Sequence, residues 1–353
     1  MVKGGSIFFR LCLLFLVLLG GVFWVSLQGA VSLPAGKVIA VFVNKILGIS
    51  YLNEYPTVVE QSIVWDIRMP RIVLAILVGS ALSVSGALIQ GLFRNPLADP
   101  GIIGVSSGAA IGAAVMIVLG NRLLGSDIME GLGAYAIPIA SMIGALLITF
   151  IIYQLSALGG SVDLISMLLI GIAINALAGS FLGLLIFMAS DDQLRTLTFW
   201  GLGSLARADW QMILTALPLL ILPLIIVGFL ARSLNALLLG EEEADSLGIS
   251  VKTLKRLLIV TTAALVGTAV SVAGTIGFLS LVVPHIIRTA TGPDHRFLIP
   301  ASALLGALLL LGSDTLARQI VAPAELPIGI ITALFGAPLF LSLLLQRKKS
   351  FLG

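Results

Sequence analysis

Gly79-Ser-Ala-Leu-Ser-Val-Ser-Gly86 and Gly267-Thr-Ala-Val-Ser-Val-Ala-Gly274 share both glycines and the central Ala, Ser and Val, 188 positions apart. Each lies in a run without Asp, Glu, Lys or Arg, at 72–93 and 257–287. A helix needs roughly 20 apolar residues to cross about 30 Å of hydrocarbon, so charge-free runs of this length read as membrane spans. Seven further runs lie at 11–36, 101–121, 131–162, 164–190, 210–231, 297–313 and 326–346. The run at 257–287 is too long for one helix and breaks naturally at Gly274-Thr-Ile-Gly277; its second half, with Pro284, is expected to be short or irregular. Ten spans result. The two alike stretches then fall in spans two and seven, separated by an odd number of helices, and run in opposite directions. The expected fold is an all-α membrane protein of ten transmembrane helices with an inverted internal repeat, spans 2–5 and 7–10, in one domain over residues 1–353. Inverted repeats are typical of transporters, with the pathway at the repeat interface. Small-residue patterns also recur in membrane helices simply because they allow close packing.

Composition agrees. Of 353 residues 59% are hydrophobic and 10% charged, with a mean hydropathy of +1.15. A soluble domain carries about 25% charged residues, so a globular enzyme, a disordered chain and a nucleic-acid binder are excluded. The net charge of +3 belongs to a few basic ends, not to a phosphate-binding face. A single cysteine, Cys12, cannot form an internal disulfide.

The positive-inside rule orients the spans. Lys3, the cluster Lys252, Lys255 and Arg256, and the tail Arg347-Lys348-Lys349 favour both termini on the cytoplasmic side. Lys3 and Arg10 ahead of an apolar stretch also resemble a cleaved signal peptide, but the 26-residue run exceeds an ordinary signal core, so a retained first helix is expected. Residues 37–70 are expected to lie outside, with a short surface helix.

Little in the chain can do chemistry. The one Gly-Lys pair, Gly36-Lys37, lacks the rest of a phosphate-binding loop. Two histidines are too few for a metal site. His285 follows Pro284 and could serve as a relay, although a helix-end histidine bonded to backbone is the plainer reading; His295, between Asp294 and Arg296, reads as part of a solvated turn. Asp163 and Asp314 fall at span ends, whereas proton-coupled carriers place carboxylates in mid-span. Transport energy is therefore expected from another subunit. The polar segment 239–248, Leu-Gly-Glu-Glu-Glu-Ala-Asp-Ser-Leu-Gly, has helical spacing with Gly248 as a stop. Composition leaves it open between a solvated loop and a docking helix.

Arg68-Met-Pro-Arg71, the 79–91 stretch, Asn95-Pro-Leu-Ala-Asp-Pro-Gly101 and Gly104-Val-Ser-Ser-Gly108 resemble the FecCD family of ABC-transporter permeases. So do segment 239–248, Gly277-Phe278 with Pro284-His285-Ile286, and Glu325-Leu-Pro-Ile-Gly329. The resemblance runs from about residue 60 to 345, in order. It implies a ten-helix permease in the bacterial inner membrane, acting as a homodimer with two cytoplasmic ATPase subunits and a periplasmic substrate-binding protein. ATP would be bound by the partner, and haem, a ferric siderophore chelate or vitamin B12 would be cargo rather than a stably bound cofactor. The chain itself would be no enzyme and hold no metal.

By the same resemblance, Gly240, Glu241, Glu242, Ala244, Leu247 and Gly248 would be the ATPase-coupling contact. Arg68, Arg71 and Arg318 would receive acidic residues of the binding protein, although a local Asp314–Arg318 pair or interfacial anchoring would also account for them. Phe199-Trp200, Gly203-Ser204-Leu205 and Ala208-Asp209-Trp210 look most like the family's haem permeases. Arg195 and Arg207 would then attract the propionates along the pathway between copies, lined by spans five and ten. A stand-alone ion-coupled carrier is the rival from a different class.

Overall fold

Without water to satisfy it, backbone inside a bilayer must bond to itself, and helices achieve this within one segment. In the computed structural model, which describes residues 4–29, 31–48 and 56–352, every regular element among the described residues is helical. In chain order these are α1 (Gly4–Leu27), α2 (Ala35–Leu47), α3 (Val58–Ser62), α4 (Met69–Leu92), α5 (Val105–Leu124), α6 (Ser126–Leu132), α7 (Ala136–Ser156) and α8 (Leu164–Met188). There follow α9 (Asp191–Gly201), α10 (Trp210–Leu237), α11 (Glu241–Ser246), α12 (Val251–Ala273), α13 (Leu279–Thr291), α14 (His295–Gln319) and α15 (Ile328–Leu352). Lys3 lies outside the described residues, as do the side chains of Arg347, Lys348 and Lys349.

Among the described residues, eight helical stretches are long and apolar enough to cross a membrane. They match the expected spans one to seven and nine. The break at 274–277 falls where expected, since α12 ends at Ala273 and α13 starts at Leu279. The expected eighth span, α13, has 13 residues, about 20 Å of helix, and does not reach across alone. The tenth lies in α15, whose apolar part among the described residues is Ile328–Ser342. The second span is longer than its charge-free run: α3, a π-helical turn at Ile63–Arg68 and α4 form one continuous helix from Val58. Residues 37–70 thus supply α2 and a helical extension. The two pack through Val38, Val41 and Val64 and are tied by Lys37 to Glu60 at 2.6 Å.

α4 is the axis of the bundle and is buried along nearly its whole length. Its small residues let neighbours approach backbone to backbone. A Cβ on Gly79 would sit 2.4 Å from the Gly306 carbonyl oxygen, and one on Gly306 would sit 2.4 Å from that of Gly79, fixing the crossing of α4 and α14. Gly108 and Gly144 do the same for α5 and α7, at 2.3 and 2.2 Å. The two alike sequence stretches behave differently. Gly86 lies inside α4 against the Ser280 carbonyl of α13, whereas Gly274 ends α12 with φ of 70°.

These contacts also order the ends. Gly91 faces His295, Gly79 faces Gly306 and Arg71 faces Asp314, so α4 and α14 are antiparallel. α10 starts beside Trp65, which accepts a hydrogen bond from Trp210, and ends with Asn235 on Asp294 and His295. The bundle therefore has an Arg71 end and, opposite, a Gly91 end that carries α11. Ile7 and Leu11 of α1 pack against residues 287–298 at the Gly91 end, and Ser26 meets Arg68 at the other. α15 starts at the Arg71 end, where the Ile328 amide donates to Gly203, so both terminal helices have their chain ends at the Gly91 end.

Candidate functional site

Arg68 and Arg71, and Arg318 about 250 residues further on, line one cavity of about 430 Å³ at the Arg71 end, together with Gln319, Pro323 and Glu325. The π-helical turn presents Arg68 and the start of α4 presents Arg71, a turn apart, and the close α4–α14 crossing brings Arg318 beside them. Arg71 donates from Nε to both Asp314 oxygens, at 2.9 and 3.0 Å, and from Nη1 to both Glu325 oxygens, at 3.0 and 2.9 Å. Arg318 pairs with the same Asp314 at 3.2 Å, as its i, i+4 spacing suggests. Bidentate arginine–carboxylate pairs are strong and directional. Asp314 is buried while Glu325 is open to solvent, so Glu325 is the replaceable partner of Arg71. Arg68 is only 6% exposed; it donates to the Ser26 carbonyl at 2.7 Å and to the Val31 carbonyl, which pins the end of α1 against α4.

At the Gly91 end, segment 239–248 is helical: α11 is a single turn and a half between two glycines. Gly240 has φ of 145°, a backbone conformation that favours glycine. Gly248, at φ of 81°, ends the turn through its amide bond to Asp245, the left-handed stop expected from sequence. Ala244 is fully buried, Glu242 is exposed and Leu247 is 64% exposed, beside an equally open Leu239. Glu241 is engaged internally. It pairs at 2.7 Å with Lys255 of α12, whose Nζ also donates to the Val162 carbonyl at 3.1 Å. The buried Lys255 therefore ties α11, α12 and the α7–α8 connection into one unit. It was legible in the sequence only as one cation in a cluster, since its partner is 14 residues away.

Arg195 and Arg207 are exposed at the Arg71 end, on α9 and on the loop after it. Arg195 stacks over Phe199, 5.9 Å from the ring centre. This loop is fixed to α15 through Ile328 and Gly329, whose amides donate to Gly203 and Leu202. The Asn95–Gly101 motif turns back into the bundle. Asp99 accepts from Ser280 at 2.6 Å, and Asn175 of α8 donates to the Gly101 carbonyl at 3.0 Å. The motif is visible in the sequence but its polar contacts are not, because their partners lie on α8 and α13.

The solvated turn expected at His295 is corrected. Its side chain is fully buried, Nδ1 lies 2.9 Å from Asn235 Oδ1, and the ring sits against Gly91. Asp294 caps α14 and also accepts from Asn235 and Arg296, and these hydrogen bonds, led by that from Arg296, hold its carboxyl well below the usual carboxylate range. The tertiary clamp from α10, invisible in the local charge pattern, buries the histidine while Arg296 beside it stays exposed. His285 is buried within α13. Among the described residues no group of His, Cys, Asp and Glu is arranged to hold a metal ion.

A family model described as the FecCD transport family matches residues 13–346. The hemin transport system permease HmuU of Yersinia pestis is 49% identical over 82% of this chain and 85% of its own. The cobalamin import permease BtuC of Halobacterium salinarum is 42% identical over 82% of this chain and 74% of its own. A vitamin B12 import permease of Klebsiella pneumoniae is 39% identical over 84% and 86%. Among solved structures, the inward-facing conformation of an ABC transporter assigned to the metal-chelate type superposes with a TM-score of 0.82 at 31% identity, over 96% of this chain and 99% of that one.

Proposed function

The chain belongs to the FecCD transport family and is a multi-pass permease of an ABC importer; from that premise we propose that its cargo is haem. The observation that carries the reading is the higher identity to the hemin permease than to either cobalamin permease. The cobalamin relatives favour a second reading, a vitamin B12 importer of the same family; a ferric-siderophore importer is the further alternative. The family leaves no role for a stand-alone ion-coupled carrier.

On this reading the permease sits in the bacterial inner membrane as a homodimer, with the Arg71 end outward and α11 and both termini in the cytoplasm. The apolar faces that α8 and α15 leave open, including Leu169, Leu177, Leu334 and Phe335, would meet across the two-fold axis and line the passage. A periplasmic binding protein would dock an acidic residue on each side at the arginine cavity, displacing Glu325 from Arg71 beside Arg318, while Arg68 holds the floor of that surface. Such charge pairs set docking register and association rate. Arg195 and Arg207, open at the same end, would meet the haem propionates. Two ATPase subunits would hold Leu239, Glu242 and Leu247 in a groove, and the Gly240–Gly248 segment, locked to α12 through Lys255, would move as a lever. Alternating access then follows from ATP-driven closure of the ATPase pair.

Titration of the cognate binding protein with haem, cobalamin and ferric siderophores tests the cargo. A Soret shift at micromolar or tighter affinity is the expected result; capture of cobalamin or a siderophore instead overturns haem and keeps the family.

A further inference from the structure

A groove of about 550 Å³ opens on the flank of the bundle between α7 and α12, apart from both candidate sites. Ile143, Leu147 and Phe150 of α7 and Val260 of α12 form its apolar walls, and Tyr153 and Arg256 stand at the end nearer α11. From Ile143 to Tyr153 it follows α7 for about 15 Å at 1.5 Å per residue, half of a hydrocarbon core about 30 Å thick. That is the depth one acyl chain occupies in one leaflet.

The charges at its head separate this groove from ordinary lipid-facing surface. Arg256 and Lys252 are i, i+4 neighbours on the exposed face of α12, and neither forms an ion pair among the described residues, whereas Lys255 beside them is buried on Glu241. Thr149 lines the groove one turn deeper than Tyr153; it is 4% exposed and its hydroxyl has no partner. Thr261, Thr268 and Thr315 bond to the carbonyl four residues back, as such residues commonly do; Thr149 and, outside the groove, Thr262 of α12 do not, and both hydroxyls are buried.

We propose that this groove is a binding site for one anionic phospholipid. Its phosphate sits against Arg256 and Lys252, Tyr153 lies at glycerol level, and one acyl chain lies along Leu147 and Val260. Basic residues at the membrane surface recognise anionic headgroups, and here they stand over a slot of acyl length. The site rests on the chain being a membrane permease and is independent of its cargo.

The test is native mass spectrometry of the full permease with its ATPase subunits, delipidated in mild detergent and supplied with phosphatidylglycerol or phosphatidylcholine of identical acyl chains. The expected result is one phosphatidylglycerol retained per permease copy, at least tenfold over phosphatidylcholine. Retention should fall about tenfold in Lys252→Gln/Arg256→Gln and in Val260→Phe, which fills the slot and leaves both charges in place. Equal retention of the two lipids by the unaltered protein overturns the proposal, with no variant needed. Full retention in a correctly assembled Val260→Phe protein also overturns it, because simple interfacial anchoring by the two cations would survive that change. Disulfide cross-linking between two copies carrying Leu147→Cys in a Cys12→Ser background would place a second permease in the groove and equally refute it.

Discussion

Arginines 68 and 71 are three residues apart and do different work. The Arg68 guanidinium is spent on two backbone carbonyls under the end of α1; Arg68→Met leaves them unpaired and is expected to cost about 1–3 kcal/mol, read as a lower unfolding midpoint of the detergent-solubilised protein. Arg71 faces a cavity, and its outer partner Glu325 is exchangeable. Arg71→Glu is therefore expected to reduce binding-protein stimulation of the ATPase about tenfold, most strongly at low salt, without releasing the ATPase; normal stimulation would remove Arg71 from the docking surface. Asp294 supplies the pH-dependent element. Its carboxyl titrates below the usual range because of the hydrogen bonds it accepts, so its contribution is present above the unfolded-state value of about 4 and is lost as pH falls through the lower folded value. Asp294→Asn should flatten the acid limb of a stability–pH curve, and an unchanged limb would refute the assignment. His295 shows why residue-level reading stopped short here: its neighbours in sequence are charged, but its neighbours in space are Asn235 and Gly91.

At the scale of elements, spans were legible where apolarity and length coincide, and the α12–α13 break was legible from its two glycines. The full length of the second span was not, because Glu60, Asp66 and Arg68 interrupt the charge-free run while the backbone stays helical. The α11 turn was readable from Gly248, but its lock was not: Glu241 and Lys255 meet only because α12 folds back beside it. The α4–α14 crossing leaves no room for side chains at its centre. Gly79→Leu is expected to abolish assembled permease, because its Cβ alone would press into the Gly306 backbone and overpacking of this kind costs about 1–3 kcal/mol or more; normal yield would show the helices closer to independent than the geometry implies. The lever reading of α11 is checked by Leu239→Asp/Leu247→Asp and by Lys255→Met. The first pair is expected to weaken ATPase binding, the second to keep binding but uncouple hydrolysis from transport. Intact transport in both would sink the coupling assignment.

For the whole molecule, the arginine cavity and α11 stand at opposite ends of one antiparallel bundle, joined by α4, α12 and α14. On the proposed reading, one end would receive the delivering protein and the other would serve as the handle for the ATPase. The sequence carried both sites as separate motifs, and only folding shows that Arg318 shares one cavity with Arg68 and Arg71. Cargo is the finest claim, and it depends on side chains around a passage between two copies. The most direct measurement is uptake into proteoliposomes holding the permease and its ATPase subunits, with the binding protein and equimolar haem and cobalamin outside and ATP within. The account predicts ATP-dependent accumulation of haem with cobalamin left outside. Accumulation of cobalamin, or haem uptake that persists without ATP, would contradict it.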